Sequence, residues 1–521
     1  MTGGEVLVRS LVAHGVRVVF GIPGTHNLEI YRHLTPYGVR HVTARHEQGA
    51  GYAADGFART SGRVGVAVTT TGPAALNIAA ALAQAYSDSV PILVVATGPP
   101  VRDPWQGNGM LHEMRHQQAA LGAVTEYSYR ATSAADVTEV VARAFLGMTA
   151  GRPRPAYIEV PLDVLTDPTD VSIVDPYPVA EPRLDPALIT SAAMRLVEAE
   201  RPGILLGGGA RLAGASALAV AERLGAPVLT TTNGKGIVPE DHPLSCGAAL
   251  NRPGAAALVE DCDVLLAVGT ELAETDWWDG VPRPGYLVRI DVEATQLDRN
   301  LAADLGLHAD ARTALVALRS ALSGRTAARA DRAAAWRARL SAEARAAATP
   351  WVSTMDAIAS VLDRDAIVVA DNTMAAYRGA LGTLPVHPPG AFCFPTGFGT
   401  LGYAVPAAFG ASVAHPGRPV VALAGDGGLM FSVPELAAVA AEGVPLPVVV
   451  FDNGGYGEIR NQMAAMGMEP LAVDLPTPDL VGLARALGGE GFRCDAPSDL
   501  AARLTESWRR PGPTVLVVSE S

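Results

Sequence analysis

The chain is short of cysteine, of charge and of aromatic rings, and it has no long apolar run. Its four cysteines (Cys246, Cys262, Cys393 and Cys494) fall at no metal-type spacing. That argues against a thiolate metal site and makes plain buried thiols in a reducing compartment the default. No segment reaches the roughly 18 uninterrupted apolar residues that a membrane helix needs. The opening stretch MTGGEVLVRSLVAHG carries Glu5 early and does not read as a signal peptide. Positive charge is scarce too: 40 Lys and Arg against 53 Asp and Glu leave a net charge of −13. This argues against nucleic acid and anionic membranes as partners. Hydrophobic residues at 49% against 18% charged suit an α/β protein with strands buried on both faces. A soluble, cytoplasmic protein is expected.

What the chain does have is rhythm. Apolar β-type runs alternate with Ala-rich helical stretches almost throughout, the pattern of parallel sheets with crossover helices. With 521 residues the chain is too long for one core, and two segments break the rhythm. Asp163 to Pro186 is dense in Pro and Asp and reads as a linker. Ser323 to Pro350 is dominated by Ala and Arg and reads as an exposed connecting helix. Three α/β domains are expected, 1–165, 185–322 and 350–521, each with a mainly parallel sheet flanked by helices. The outer two look alike: RVVFGIPG, VGVAVTTTGP and PILVVATG in the first, AIVVADN, VVALAGDG and LPVVVFDN in the last. Each run ends in Gly, Pro, Asn or Thr at the sheet edge where open α/β sheets bind ligands.

Chemistry concentrates in VVALAGDGGLMFSVPEL, Val420 to Leu436. A single carboxylate, Asp426, ends an apolar strand between two glycines. Ser432 and Glu435 have the spacing of a capping box, which predicts a helix start just past the glycines. A strand, a glycine turn and a helix N-terminus together form an anion cradle suited to phosphate. Phosphate usually arrives with Mg²⁺, a hard ion that takes oxygen ligands. Asp426 supplies one oxygen, and Asn453, 27 positions on in VVVFDNGGYGEIR, supplies a second from the adjacent strand end. Either residue alone reads as a helix cap or an Asx turn; the pair at this spacing favours a metal.

These residues carry a resemblance. GDG at Gly425 to Gly427, followed after a spacer by Asp452-Asn453, resembles the thiamine diphosphate fingerprint. With FGIPG (Phe20 to Gly24), RHEQGAGYAADGFAR (Arg45 to Arg59) and PTGFGTLGYAVPAAFGA (Pro395 to Ala411), the likeness covers essentially the whole chain. It is similar to the acetolactate synthase, benzoylformate decarboxylase and pyruvate decarboxylase superfamily. Asp452 departs from the pattern, standing where a first asparagine is usual. The resemblance implies a pyrimidine-binding first domain and a diphosphate- and Mg²⁺-binding third domain, both of the thiamine diphosphate-binding fold. Asp426, Asn453 and the Gly455 carbonyl would hold Mg²⁺, with Gly427, Gly428, Thr373 and Met374 at the diphosphate. Leu401 would bend the cofactor, and the Gly399 carbonyl would accept from its amino group. Glu47 would bond the pyrimidine nitrogen, as an acid in a dry pocket. Read from the residues, a carboxylate on the small, apolar face of this helical stretch is unexpected without a partner; the plain alternative is a surface Glu47 paired with Arg45 or Arg59. The family places Glu47 and Asp426 on different subunits, which implies a homodimer or homotetramer with active sites between copies.

The implied reaction is loss of CO₂ from a small-molecule 2-oxo acid. The product is then an aldehyde, or, if a second carbonyl compound is joined, an acetolactate-like carboligation product. Candidates facing the reacting carbon are Thr25, His26, Thr70, Thr71, His112, Glu113, His116, Gln117 and Gln118, with Thr25, His26, His112 and Gln118 favoured. The central block has TELAETDWWDG where the flavin-binding synthases have Arg-Phe-Asp-Asp-Arg, which argues against FAD. PGTHN, LHE, TELAETD and YGEIR look closest to decarboxylases of basic 2-oxo acids such as 5-guanidino-2-oxopentanoate, with Glu113 and Glu458 as guanidinium partners. Glu271, Glu274, Asp276 and Asp279 read as a solvated acidic loop. The leading expectation is non-oxidative decarboxylation, with carboligation second and a catalytically silent cofactor-binding relative a remote third.

Overall fold

The computed structural model describes residues 1–104, 107–180, 183–322 and 330–520, organised on three sheets. In spatial order the N-terminal sheet runs Arg40–Thr43, Val18–Gly21, Gly65–Thr69, Ile92–Gly98, Ala156–Pro161, Tyr127–Arg130. The C-terminal sheet runs Phe392–Cys393, Ile367–Ala370, Val420–Gly425, Leu446–Asp452, Pro513–Ser519, Glu490–Arg493. Numbered along the chain, both have the order 2-1-3-4-6-5. Five strands make the central sheet: Leu305–His308, Leu287–Asp291, Val264–Val268, Pro202–Leu206 and Val228–Thr230. Every pairing in the three sheets is parallel. Runs such as ILVVATG bury every residue, so neither face can be left to water and helices must cover both.

The order 2-1-3 has a consequence for function. The chain leaves strand 1 toward one side and strand 3 toward the other, which opens a crevice between their C-terminal ends. In the N-terminal sheet that crevice lies beyond Gly21 and Thr69; in the C-terminal sheet it lies beyond Ala370 and Gly425.

The outer domains meet through two helices, Glu47–Ser61 and Ala404–Ala414. An added Cβ at Gly56 would run into the Ala407 carbonyl, and one at Gly410 into that of Ala53. Small residues at the crossing thus let the two backbones touch. Beside it, buried Arg59 donates to Asp55 (2.6 Å), Asp88 (2.7 Å) and Asn233 (2.9 Å), tying the N-terminal and central domains together. The charge is compensated on two sides, as a buried guanidinium requires.

Two expectations change in detail. The Pro- and Asp-rich stretch begins with a short helix, Leu162–Thr166, and has no regular element from 167 to 185 among the described residues. The Ala- and Arg-rich stretch forms the helix Ala330–Ala347, but it is not simply exposed: Ala333, Leu340 and Ala344 are buried. They recur at spacings of seven and four, so one apolar face of the helix packs inward. The start of that stretch, 323–329, lies outside the described residues. No helix among the described residues is long and apolar enough to cross a membrane.

Candidate active site

The crevice of the C-terminal sheet holds most of the expected residues. Asp426, 5% exposed, follows the strand Val420–Gly425 directly and begins a single helical turn, Asp426–Leu429. Its Oδ2 accepts from the Gly455 amide (2.8 Å) and the Thr477 hydroxyl (3.3 Å). The single Thr477 O–H is shared with Asp452, which it meets more closely (2.9 Å), and Arg493 lies 3.8 Å from the other Asp452 oxygen. The aspartate that stands in place of the usual asparagine is thus met by a hydroxyl at one oxygen and has a guanidinium near the other. Gly455 has φ of +135° and its Cβ position is filled by the Val473 carbonyl, so only glycine fits. Its own carbonyl lies 3.3 Å from where a Gly427 Cβ would stand.

Asn453 donates from Nδ2 to Glu520 Oε2 (3.0 Å), while its Oδ1 is buried with no partner among the described residues. Buried polar atoms are nearly always satisfied, so this orphan marks a place for a ligand. A carboxylate, an amide oxygen and a backbone carbonyl form an all-oxygen set, the kind a hard divalent cation takes. The glycines leave room beside it: a Gly427 Cβ would sit 2.9 Å from the Tyr456 ring, and one at Gly428 3.5 Å from the Asp371 carboxyl. Thr373 Oγ1 stands 3.2 Å from the Gly425 Cβ position and the Met374 methyl 3.0 Å from that of Gly457, so both reach the same crevice. Gly399 (φ +69°) and half-buried Leu401 belong to a turn held through Thr400, whose carbonyl accepts from Asn372 (2.9 Å) and whose hydroxyl bonds Tyr52. The residues present therefore fit thiamine diphosphate with a divalent cation.

The capping box does not form. The helix Glu435–Glu442 starts with Pro434 at its N-cap, Ser432 Oγ is buried without a partner, and Glu435 turns away. Its carboxylate accepts instead from the amides of Arg45 (3.0 Å) and His46 (2.9 Å) at the start of the Glu47 helix. Two otherwise unpaired donors at a helix N-terminus outcompete one local amide. Burial pushes Glu435 up to about 7. The helix expected past the glycines does form, from Glu435 and without the Ser432 cap, after the single turn Asp426–Leu429.

Glu47 itself is half-buried, opens its helix and accepts from Asn77 (2.9 Å). It pairs with neither Arg45 nor Arg59; the latter is engaged by Asp55 and Asp88. Among the described residues no hydrogen bond joins Glu47 to Asp426, Asn453 or Gly455 of the same chain.

The crevice of the N-terminal sheet gathers His26, Thr71 and His112. His26 Nδ1 bonds Thr71 Oγ1 (3.1 Å), which bonds Thr97 Oγ1 (2.7 Å), and the two imidazoles meet edge to face at 5.1 Å. Burial, and then the neighbouring His112, holds His26 below the usual histidine range. His112 has φ of +64° and its Nδ1 is buried without a partner, as is Thr70 Oγ1. Thr25 is exposed at the mouth of this crevice. Gln118 is not brought there: it donates to the Ser128 carbonyl (3.1 Å). Its neighbour Gln117 faces inward, accepting from the Gly72 amide (2.6 Å) and donating to Thr97 O (2.8 Å) and Tyr157 (2.9 Å). Glu113 is committed to its own loop through the amides of Gly107 and Met110, which hold it below the usual carboxylate range. His116 is exposed and precedes the helix Gln117–Gly122.

The acidic loop departs from expectation. Glu271 pairs with Arg152, and Asp276 accepts from the Thr232 amide (3.3 Å) and is pushed up to about 7 by burial. Both line a cleft of about 710 Å³ where the three domains meet; Glu274 and Asp279 are exposed. Asp371 was not singled out from sequence. It is 1% exposed, accepts from Asn372 (2.9 Å) and Ala404 (3.4 Å), and is pushed up to about 6 by burial. Its signal, an acid closing the apolar run AIVVAD, is the same one that marks Asp426.

Comparison with known proteins agrees with this geometry. Residues 1–128 match the family described as thiamine pyrophosphate enzyme, N-terminal TPP binding domain; residues 189–318 match its central domain and 372–518 its C-terminal TPP binding domain. A probable 2-ketoarginine decarboxylase, AruI, of Pseudomonas aeruginosa is 41% identical, over 94% of this chain and 88% of its own. A probable acetolactate synthase large subunit of Methanocaldococcus jannaschii is 32% identical over 97% and 90%. An acetolactate synthase large subunit of Parasynechococcus marenigrum is 33% identical over 99% and 87%. The chain belongs to the thiamine diphosphate-dependent enzymes, in the branch of the decarboxylases and acetolactate synthases.

Proposed function

We propose that the protein is a Mg²⁺-dependent, non-oxidative 2-oxo acid decarboxylase that releases an aldehyde and uses the crevice at Asp426. The observation that carries this reading is the buried Asn453 Oδ1, unpartnered among the described residues, at the end of the strand that pairs with the one leading to Asp426. With Asp426 and the Gly455 carbonyl it would hold the cation. Gly427, Gly428, Thr373 and Met374 would line the diphosphate site, and Leu401 and the Gly399 carbonyl would meet the cofactor rings. When bound, thiamine diphosphate supplies the carbon that takes up the electron pair as the C1–C2 bond breaks.

Glu47 holds or moves a proton at the pyrimidine nitrogen, and its half-buried setting at a helix N-terminus keeps it fixed in place. His26 and His112, both titratable, line the crevice where a product carbon would need a proton, with Thr71 bonded to His26. Thr25 lies at its mouth. That pair favours protonation to an aldehyde over addition to a second carbonyl. The acetolactate synthases among the relatives support carboligation as the second reading. The family resemblance, which places Glu47 and Asp426 on different subunits, supports a homodimer or homotetramer that would pair Glu47 of one copy with the cradle of another. Four free, buried cysteines support a cytoplasmic setting.

A basic 2-oxo acid is the substrate class. The 41% identical relative carries the name of a 2-ketoarginine decarboxylase. Glu458, on the helix that follows the metal loop, bonds the Arg378 guanidinium at 3.3–3.4 Å. A carboxylate that already meets one guanidinium has the chemistry to accept from a substrate's. Incubating the protein with thiamine diphosphate, Mg²⁺ and a panel of pyruvate, benzoylformate, branched-chain and guanidino 2-oxo acids tests this. The expected result is CO₂ and an aldehyde from the guanidino acid in preference to the others. Acetolactate from pyruvate without aldehyde would establish the carboligase instead, and no CO₂ from any acid with cofactor bound would establish a silent relative.

A further inference from the structure

We infer that Glu520 is a positioning residue that selects which end of the Asn453 side-chain amide faces the cation. The inference rests on the metal reading of Asp426, Asn453 and Gly455 and extends it to a residue outside the fingerprint.

An asparagine amide offers an oxygen at one end and two N–H donors at the other, and only the oxygen can ligate a cation. Which end points into the cradle is decided by what meets the opposite end. Here that partner is Glu520, whose backbone amide is fixed to the Asp452 carbonyl (2.8 Å). A carboxylate only accepts, so it can meet only Asn453 Nδ2, at 3.0 Å, and Oδ1 is left buried and, among the described residues, unpartnered. The other Glu520 oxygen accepts from the indole nitrogen of Trp351, a group that only donates and is 7% exposed. The line therefore runs indole N–H to carboxylate, and amide N–H to the same carboxylate, with no freedom to reverse either end.

Glutamine at 520 would invert the line. Trp351 still demands an oxygen, so the Gln amide nitrogen would face Asn453. Two donors cannot share that contact, and Asn453 would turn over to present N–H groups to the cation. Alanine would leave Asn453 free to keep its productive orientation at some cost. The isosteric change is thus the more harmful one, an order that a merely structural role would reverse.

The test is Mg²⁺ titration of the protein at fixed thiamine diphosphate, read by calorimetry, with thermal melting of the metal-free protein as the check on folding. Glu520→Gln is expected to weaken Mg²⁺ binding about 10–100-fold, the range for residues that orient metal ligands. Glu520→Ala is expected to weaken it less. Adding Trp351→Phe to Glu520→Gln frees the Gln to turn its oxygen toward Asn453 and is expected to recover most of the loss. The inference is overturned if Glu520→Gln binds Mg²⁺ within about threefold of the wild type. It is equally overturned if Glu520→Ala is the worse variant, or if Trp351→Phe brings no recovery. Asn453→Ala reads the metal assignment separately. Unchanged Mg²⁺ affinity there overturns both readings, whereas loss there with Glu520→Gln unaffected overturns the Glu520 inference alone.

Discussion

Glu47→Gln is expected to lower kcat for CO₂ release by about 10²–10⁴-fold, the span of a positioned acid or base, while the protein still binds thiamine diphosphate and Mg²⁺. The side chain opens the helix Glu47–Ser61 and accepts from Asn77 Nδ2 at 2.9 Å. Glutamine keeps the shape and can still accept from Asn77, so the melting temperature should stay near that of the wild type. What it cannot do is carry a proton. The start of the helix is also fixed independently, since Glu435 holds the amides of Arg45 and His46 whatever stands at 47. A variant that binds cofactor normally and is silent separates chemistry from binding. Turnover within about threefold of the wild type would remove Glu47 from the reaction.

Asp426→Asn should do the opposite and abolish binding first. The amide can still accept from the Gly455 N–H, which the aspartate meets at 2.8 Å, so the loop is preserved. It removes the one anionic ligand of the three oxygens. A hard cation held by one carboxylate and two neutral oxygens depends on that charge, and about 100-fold or more in Mg²⁺ affinity should be lost. Measured by calorimetry at fixed thiamine diphosphate, an affinity unchanged from the wild type would place the cation elsewhere.

How much of this was legible in the chain follows from range. Asp426 and Asn453 announce themselves because each is a polar residue closing an apolar strand among glycines. Parallel topology then puts both strand ends at the same edge. The matching plan of the two outer domains was equally visible in their strand runs. Glu435 was misread for the complementary reason. Ser-x-x-Glu is a local pattern, while the amides that capture the carboxylate lie 389 and 390 positions away. Glu520 has no local signal at all; its meaning comes from Asn453, 67 positions earlier. Gln117 and Gln118 differ only in helical phase, and the boundary of a six-residue helix decides which faces inward. The acidic loop looked solvated because its partner Arg152 comes from another domain.

The central claim is that one active site takes Glu47 from one copy and the Asp426 cradle from another. It is tested most directly by mixing the two inactive variants, Glu47→Gln and Asp426→Asn, under conditions where subunits exchange, and measuring CO₂ release. A mixed dimer would then contain one site with both lesions and one site with neither. Random pairing makes half the dimers mixed with one good site each, so activity should return to about a quarter of the wild type. If each chain instead built its site from its own Glu47 and Asp426, every site would carry one lesion. The mixture would then be as silent as its parts, and the account would be contradicted.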